Sequence, residues 1–413
     1  MTFERVSVIG LGYIGLPTAC MFARSGVEVV GVDVDARAVE LINQGRPQFS
    51  EPDLKLLVER VVASGKLRAT TLPEPADAFV IAVPTPFRDG HEPDLRHIEA
   101  AGRAIAPLLA PGNLVVLEST SPVGATERLI EWMAEERPDL RFPVLQGEPG
   151  DVYVAHCPER VLPGRILVEL VDNDRVIGGV TGACTDRARQ LYELFVRGSC
   201  LRSDARTAEM VKLTENAYRD VSIAFANELS LLCDRLDVDV WELIALANRH
   251  PRVDVLRPGP GVGGHCIAVD PWFLIHAAPE LAPLMRSARA VNDGKPGYVV
   301  ELIADAASRR ADPTIACLGL TYKANVEDMR ESAAVRVVEG LAKRNAGHLL
   351  VVEPHAHELP PALLGFDVRL VELEEALESA DVVALLVDHN VFRAVNRDLL
   401  QDRELIDLHG IWR

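Results

Sequence analysis

The chain of 413 residues is longer than one hydrophobic core usually fills, so two or three domains are expected. Its composition, 48% hydrophobic and 25% charged, is that of a soluble globular protein, and a formal net charge of −18 argues against a nucleic-acid partner. Apolar runs such as Val382 to Val387 are strand-sized, so no membrane span is expected, and "RVSVIGLG" enters a fold with no signal peptide before it, which predicts a cytoplasmic protein.

The first elements read strand, glycine turn, helix, strand. "RVSVIG" is a short β-branched run, "GLGYIG" supplies Gly10, Gly12 and Gly15, and "LPTACMFARSG" has helical spacing up to Gly26. "VEVVGVD" is the second strand and ends in Asp33. "ADAFVIAVPTP" and "GNLVVLEST" supply two more apolar strands. Such an alternation predicts a parallel sheet covered on both faces. From about Asp204 to Leu236 there is no Gly or Pro, and apolar residues recur at helical intervals, which predicts one long helix. "DVWELIALANRH" is a second helix, ended by Pro251. After about Asp312 the alternation returns: "TIACLGL", "HLLVVEP", "ADVVALLVD" and "ELIDLHG" are strands, and "ESAAVRVVEGLAKRNAG" is a helix. "SADVVALLVDH" weakly echoes "PADAFVIAVPT". The expected fold class is therefore α/β, with two doubly wound Rossmann-like domains joined by a long central helix.

A GxGxxG pattern alone is a weak signal. Here it follows a strand, opens a helix and meets Asp33 at the end of the next strand, which makes it a dinucleotide fingerprint. Gly10 permits the tight turn, Gly12 lets the pyrophosphate approach the backbone, and Gly15 allows close helix–strand packing. Asp33 suits ribose hydroxyls and repels a 2′-phosphate, so NAD is expected as cofactor. On the long helix, Lys212, Asn216 and Arg219 share one face. That stripe is either a solvated surface or a pair of groups, Lys212 and Asn216, that polarise an oxygen being oxidised.

Seven cysteines, Cys20, Cys157, Cys184, Cys200, Cys233, Cys266 and Cys317, form no CxxC and no metal-ligand cluster, so no metal is expected. Scattered and odd in number, they fit reduced thiols, mostly packed in cores. Cys266 is set apart by "GPGVGGHCIAVDPW", with glycines before it and Asp270 four positions on. Oxidising an aldehyde to an acid needs such a nucleophile, whose adduct yields a second hydride and then a thioester. His265 is adjacent, but neighbours on an extended chain point opposite ways.

The motifs "VSVIGLGYIGLPTA", "AVPTP", "EST", "CPERVLPG", "KLTENAYRD", "ANRHPRV", "GPGVGGHCIAVDP" and "LGLTYKANVEDMRES" run in order along the chain. On them the sequence resembles the nucleotide-sugar 6-dehydrogenase family, which includes UDP-glucose dehydrogenase, and within it the UDP-N-acetyl-D-mannosamine dehydrogenase branch. The resemblance implies four-electron oxidation of C6 of a UDP-sugar with two NAD per turnover. It implies Cys266 as nucleophile, Lys212 and Asn216 as oxyanion stabilisers, and Asp270 as orienting or proton-accepting partner. Glu159 is implied in thioester hydrolysis and Thr120 in holding the water. Tyr13, Ile14, Asp33, Thr85, Thr126 and Arg330 fall at cofactor positions. Arg160, Val161, Arg219, His250, Arg252, Gly263, Tyr322 and Lys323, with Lys212 and Asn216, fall at nucleotide-sugar positions. His409 departs from the family pattern, which often has an arginine there. The expected organisation is an NAD-binding domain over 1–200, a central helical domain over 201–305 and a UDP-sugar-binding domain over 306–413. A homodimer built on the long helix is expected, with the active site between the two α/β domains.

Overall fold

The structure is a computed structural model that describes residues 3–49, 51–145, 150–264 and 266–412. The chain forms two units, Met1–Glu215 and Asn216–Arg413. In the first unit, β1 (Arg5–Ile9), β2 (Glu28–Val32), β3 (Leu67–Thr70), β4 (Ala78–Ile81), β5 (Leu114–Leu117), β6 (Tyr153–His156), β7 (Arg175–Gly179) and β8 (Cys200–Asp204) make one sheet. Their order is β3-β2-β1-β4-β5-β6-β7-β8, which reverses direction of travel between β1 and β4 as a dinucleotide fold requires. Successive residues face opposite sides of the sheet, so Val29 joins the core cluster on one face and Val30 that on the other. The doubly wound architecture read from the sequence is present. One pairing differs from the all-parallel expectation: β7 runs antiparallel to β6, with Ala155 opposite Gly179 and His156 opposite Gly178. β8 then pairs parallel to β7.

The long helix spans Ala205–Leu236, 32 residues, and the division between the units falls within it. The next helix, Val240–Ala247, is capped by Asp239, whose carboxylate accepts from the Trp241 and Glu242 amides. The 25-residue helix Pro283–Ala307 has no counterpart in the sequence reading. Gly294, Pro296 and Gly297 lie inside it, and an internal proline alone costs about 3 kcal/mol of helix propensity. Partners on the long helix offset this. Buried Arg289 pairs with Asp220 at 2.6 Å, and Asn292 donates to Asp220 at 2.8 Å and accepts from Asn227 at 2.9 Å. Lys295 is buried against Ser230, and burial pushes its ammonium down to about 8.

The second unit ends in a five-stranded parallel sheet: β9 (Thr314–Leu318), β10 (His348–Val352), β11 (Val368–Leu370), β12 (Val382–Leu385) and β13 (Glu404–Asp407), in the order β11-β10-β9-β12-β13. Core clusters again cover both of its faces. Among the described residues no helix is long and apolar enough to cross a membrane.

Candidate active site

The glycine turn after β1 is shaped by its own backbone. Gly10 has φ +92°, and a Cβ there would lie 2.5 Å from the Ala82 carbonyl oxygen. A Cβ on Gly15 would lie 1.8 Å from the Gly10 carbonyl oxygen, whereas one on Gly12 would meet nothing within 4 Å. Gly10 and Gly15 are thus fixed by the fold, and Gly12 leaves the backbone approachable. The helix Gly15–Arg24 starts here with no side-chain cap, so its amide end suits an anion. Asp33 follows β2. Its two carboxylate oxygens accept from the Leu11 and Asp35 amides at 2.9 and 3.0 Å, which fixes the carboxylate and leaves lone pairs for ribose hydroxyls. These residues fit NAD. Tyr13 stacks on Phe49 at 4.2 Å, and Ile14 is half-buried beside it. Gly15→Ala is expected to abolish NAD binding and to destabilise the first unit by about 1–3 kcal/mol through backbone overpacking. NAD titration and thermal unfolding check this, and wild-type affinity in the variant would contradict it.

The segments after β4, β5 and β6, with the start of the helix Ala125–Glu136, carry the other predicted residues of this unit. Thr85 donates its hydroxyl to the Thr120 carbonyl, tying two of these loops together. Thr126 is fully buried, and both its amide and its hydroxyl donate to Glu209 of the long helix. Its hydroxyl is therefore occupied within the chain. Arg160 is bound by Glu215 of the same helix at 3.1 Å and by the Asp174 carbonyl at 3.0 Å. Val161 packs at the edge of the core. The "CPERVLPG" loop is held by Glu51, which accepts from the Gly164 and Ile166 amides at 2.9 and 2.8 Å. Glu159 is buried and accepts from the Arg160 amide at 2.7 Å and from Arg175 at 2.8 Å.

In the second unit the structure brings Asn216, Asp270 and Cys266 together. Asp270 is 3% exposed and accepts from the Asn216 side-chain amide. The Cys266 carbonyl accepts from the Val269 and Asp270 amides at 3.0 and 2.8 Å, so the cysteine backbone closes the turn that opens the helix Asp270–Ala277. The Cys266 side chain is exposed, unlike Cys20, Cys157, Cys184, Cys233 and Cys317, which are buried. Burial pushes the Cys20, Cys157 and Cys317 thiols up to about 12. Lys212 is half-buried and lies one turn before Asn216 on the same helix. His265 lies outside the described residues.

The glycines before Cys266 have a reason within the chain. A Cβ on Gly263 would lie 2.6 Å from the Glu331 carbonyl oxygen, and one on Gly264, at φ +83°, would lie 3.0 Å from the Tyr322 ring. The loop thus packs on the segment carrying Tyr322 and Lys323, both half-buried. That segment is ordered by a buried network. His389 accepts from the Asn325 amide through Nδ1 at 2.9 Å, and its Nε2 lies 3.2 Å from the Thr321 hydroxyl and 3.3 Å from Glu353. Glu353 also accepts from the Leu320 and Thr321 amides. Arg219, His250 and Arg252 are exposed, and Asn248 pins the loop that carries the last two through Val255. Arg330 is exposed and engaged by Asp328 at 2.9 and 2.8 Å. His409 Nε2 donates to the Leu386 carbonyl at 2.9 Å, so it closes the end of the second sheet.

Sequence reasoning missed Glu51, Glu118, Arg175, Glu209, Glu353 and His389. Glu118 opens the "EST" motif and was legible there as a buried acid. Arg175, a lone cation heading an apolar strand, carries no local signal.

A dinucleotide cradle in one unit and an exposed, glycine-framed thiol in the other are the parts of an oxidoreductase. The chain belongs to the UDP-glucose/GDP-mannose dehydrogenase family: its NAD binding domain matches residues 4–196, its central domain residues 206–294 and its UDP binding domain residues 316–413. Its cofactor is NAD. An NDP-N-acetyl-D-galactosaminuronic acid dehydrogenase of Ralstonia nicotianae is 62% identical over 99% of this chain and 96% of its own. A UDP-N-acetyl-D-mannosamine dehydrogenase of Escherichia coli is 53% identical over the whole of both chains. Among solved structures, a UDP-D-ManNAc dehydrogenase from Pyrococcus horikoshii superposes with a TM-score of 0.89 at 39% identity, covering 99% of this chain and 96% of that one.

Proposed function

We propose that the chain oxidises C6 of a UDP-N-acetylhexosamine, UDP-N-acetyl-D-mannosamine in the first place, to the uronate, reducing two NAD and consuming one water per turnover. The observation that carries this reading is the exposed Cys266 on the turn shared with the buried Asp270–Asn216 pair. An alcohol dehydrogenation alone needs no thiol, whereas aldehyde oxidation does. NAD, when bound, accepts the hydride in each oxidation. Lys212 and Asn216 stabilise the oxygen as the alcohol becomes an aldehyde. The Cys266 thiolate then adds to the aldehyde carbon, and loss of a second hydride leaves a thioester. Glu159 takes the proton of the attacking water, which Thr120 holds, and the C–S bond breaks to release the carboxylate and the thiolate.

In this reading Gly10, Gly12, Tyr13, Ile14, Gly15, Asp33, Thr85, Thr126 and Arg330 serve NAD. Arg160, Val161, Arg219, His250, Arg252, Gly263, Tyr322 and Lys323 serve the nucleotide sugar, with arginine forks suited to its diphosphate. Thr126 and Arg160 contribute through the loops that Glu209 and Glu215 fix. The three-part organisation 1–200, 201–305 and 306–413, a cytoplasmic location and a homodimer belong to the same proposal. Tyr218, Phe225 and Leu232, exposed and seven residues apart on the long helix, support the dimer as an apolar stripe for an isologous contact.

A second reading has a specific observation in its favour. The relative at 62% identity is named for an N-acetylgalactosaminuronic acid, so UDP-N-acetylgalactosamine, which differs from the mannosamine sugar at C2 and C4, is a rival substrate. A panel of UDP-N-acetylmannosamine, UDP-N-acetylgalactosamine, UDP-N-acetylglucosamine and UDP-glucose, with NADH counted per sugar, decides. Two NADH on the mannosamine substrate supports the first reading. Two on the galactosamine substrate alone moves the assignment, and one NADH on every sugar sinks the four-electron reaction.

A further inference from the structure

Arg175 is 4% exposed and heads β7. Because β7 runs antiparallel to β6, continuing their register three residues past His156 and Gly178 sets Arg175 opposite Glu159. A parallel β7 would put its other end there. One arm of the guanidinium reaches Glu159 at 2.8 Å, and the other lies 3.4 Å from Glu118. Glu118, 1% exposed at the end of β5, also accepts from the Tyr192 hydroxyl at 3.1 Å. The guanidinium stacks on the Tyr192 ring at 4.7 Å, which fixes its plane. One buried cation thus serves two buried carboxylates.

We propose that Arg175 and Glu118 are positioning residues for Glu159, sharing one guanidinium so that the charge on Glu118 sets how tightly Arg175 holds Glu159 during thioester hydrolysis. This rests on Glu159 being the hydrolytic base.

Two carboxylates and one guanidinium in a dry interior leave an uncompensated negative charge, and one proton removes it. Glu118 carries that proton: burial pushes its carboxyl up to about 7, with Arg175 opposing and Glu159 adding to the rise. The other groups facing the trio do not compete. Burial holds Tyr192 well above its usual value and the Cys157 thiol at about 12. Burial works against the charge of Arg175, but Glu159 first among its neighbours outweighs it and holds the guanidinium protonated. The Thr18 hydroxyl beside Glu118 is neutral, and Arg160, next to Glu159, is engaged by Glu215. Below about pH 7 Glu118 is neutral and Arg175 is devoted to Glu159, which restrains it as a base. Above that pH Glu118 ionises and draws Arg175 toward itself, and hydrolysis speeds up.

The test uses the full-length enzyme with NAD and the UDP-sugar it turns over best. Decay of the thioester is followed by protein mass spectrometry after rapid quench between pH 6 and pH 8.5. In the wild type the hydrolysis rate rises roughly threefold to tenfold from pH 6 to pH 8. In Glu118→Gln, which keeps the shape and the acceptor for Tyr192, that rise disappears. A wild-type profile without the rise, or a Glu118→Gln profile that keeps it, overturns the inference. Arg175→Lys keeps the charge but loses the fork that reaches both carboxylates, so the rise between pH 6 and pH 8 flattens while aldehyde formation is unchanged; a lysine variant that keeps the rise also overturns it. Glu159→Gln separates the layers. If it hydrolyses the thioester at the wild-type rate, the base assignment falls and this inference with it. If it accumulates thioester while Glu118→Gln keeps the wild-type rise, only the shared guanidinium is refuted.

Discussion

Cys266→Ser is expected to end uronate formation while NAD and UDP-sugar binding persist. The first oxidation needs no covalent step, so the variant releases at most one NADH per sugar and stops at the aldehyde. The second needs an adduct that a serine hydroxyl forms poorly, because a hydroxyl ionises far less readily than a thiol and is the weaker nucleophile. Loss of a nucleophile costs enzymes up to about 10⁶-fold, and a fall of at least about 10³-fold in uronate production is expected here. The turn before Asp270 is closed by the Cys266 carbonyl, which the substitution keeps. The measurement is NADH per sugar together with mass spectrometry of the product. Uronate made by the variant near the wild-type rate would show that the thiol is not the nucleophile.

Lys212→Ala is the second large effect. In the proposed mechanism Lys212 shares the charge developing on the sugar oxygen with Asn216, one turn away on the same helix, and as the cation it carries the larger part. Removing one preorganised donor of this kind costs about 10²–10³-fold in kcat. The fall belongs in kcat and not in KM, because the charge exists only in the transition state. Steady-state kinetics resolve the two. A variant with wild-type kcat would place Lys212 among ordinary surface cations.

The parts of this enzyme that were legible in its sequence are those governed by short-range rules. Gly10 is required by its positive φ in the turn, Gly15 by the Gly10 carbonyl just before it, and Asp33 by its place at the end of the next strand. The long helix announces itself through 32 residues without Gly or Pro. The helix Pro283–Ala307 was hidden because Gly294, Pro296 and Gly297 speak against it locally, while Asp220, Asn227 and Ser230, more than 60 residues earlier, hold it. The direction of β7 was hidden for a different reason. "RVIGG" reads as a buried strand whichever way it runs, so its pattern could not place Arg175 beside Glu159. The packing of Gly263 and Gly264 was hidden in the same way, since Glu331 and Tyr322, which take their side-chain space, lie far along the chain. Nor does the sequence around Thr126 and Arg160 show that they donate to Glu209 and Glu215 of the long helix.

The unequal burial of the seven thiols has a practical consequence. Alkylation needs an accessible thiolate, and five of the seven cysteines are sealed in cores, with Cys200 part-covered and its thiol pushed up, chiefly by burial. A small electrophile added to the native protein is therefore expected to label Cys266 ahead of the other six, and under the proposed mechanism that label tracks the loss of uronate formation. If the label and the activity are lost in step, specific activity can be stated per functional centre rather than per milligram.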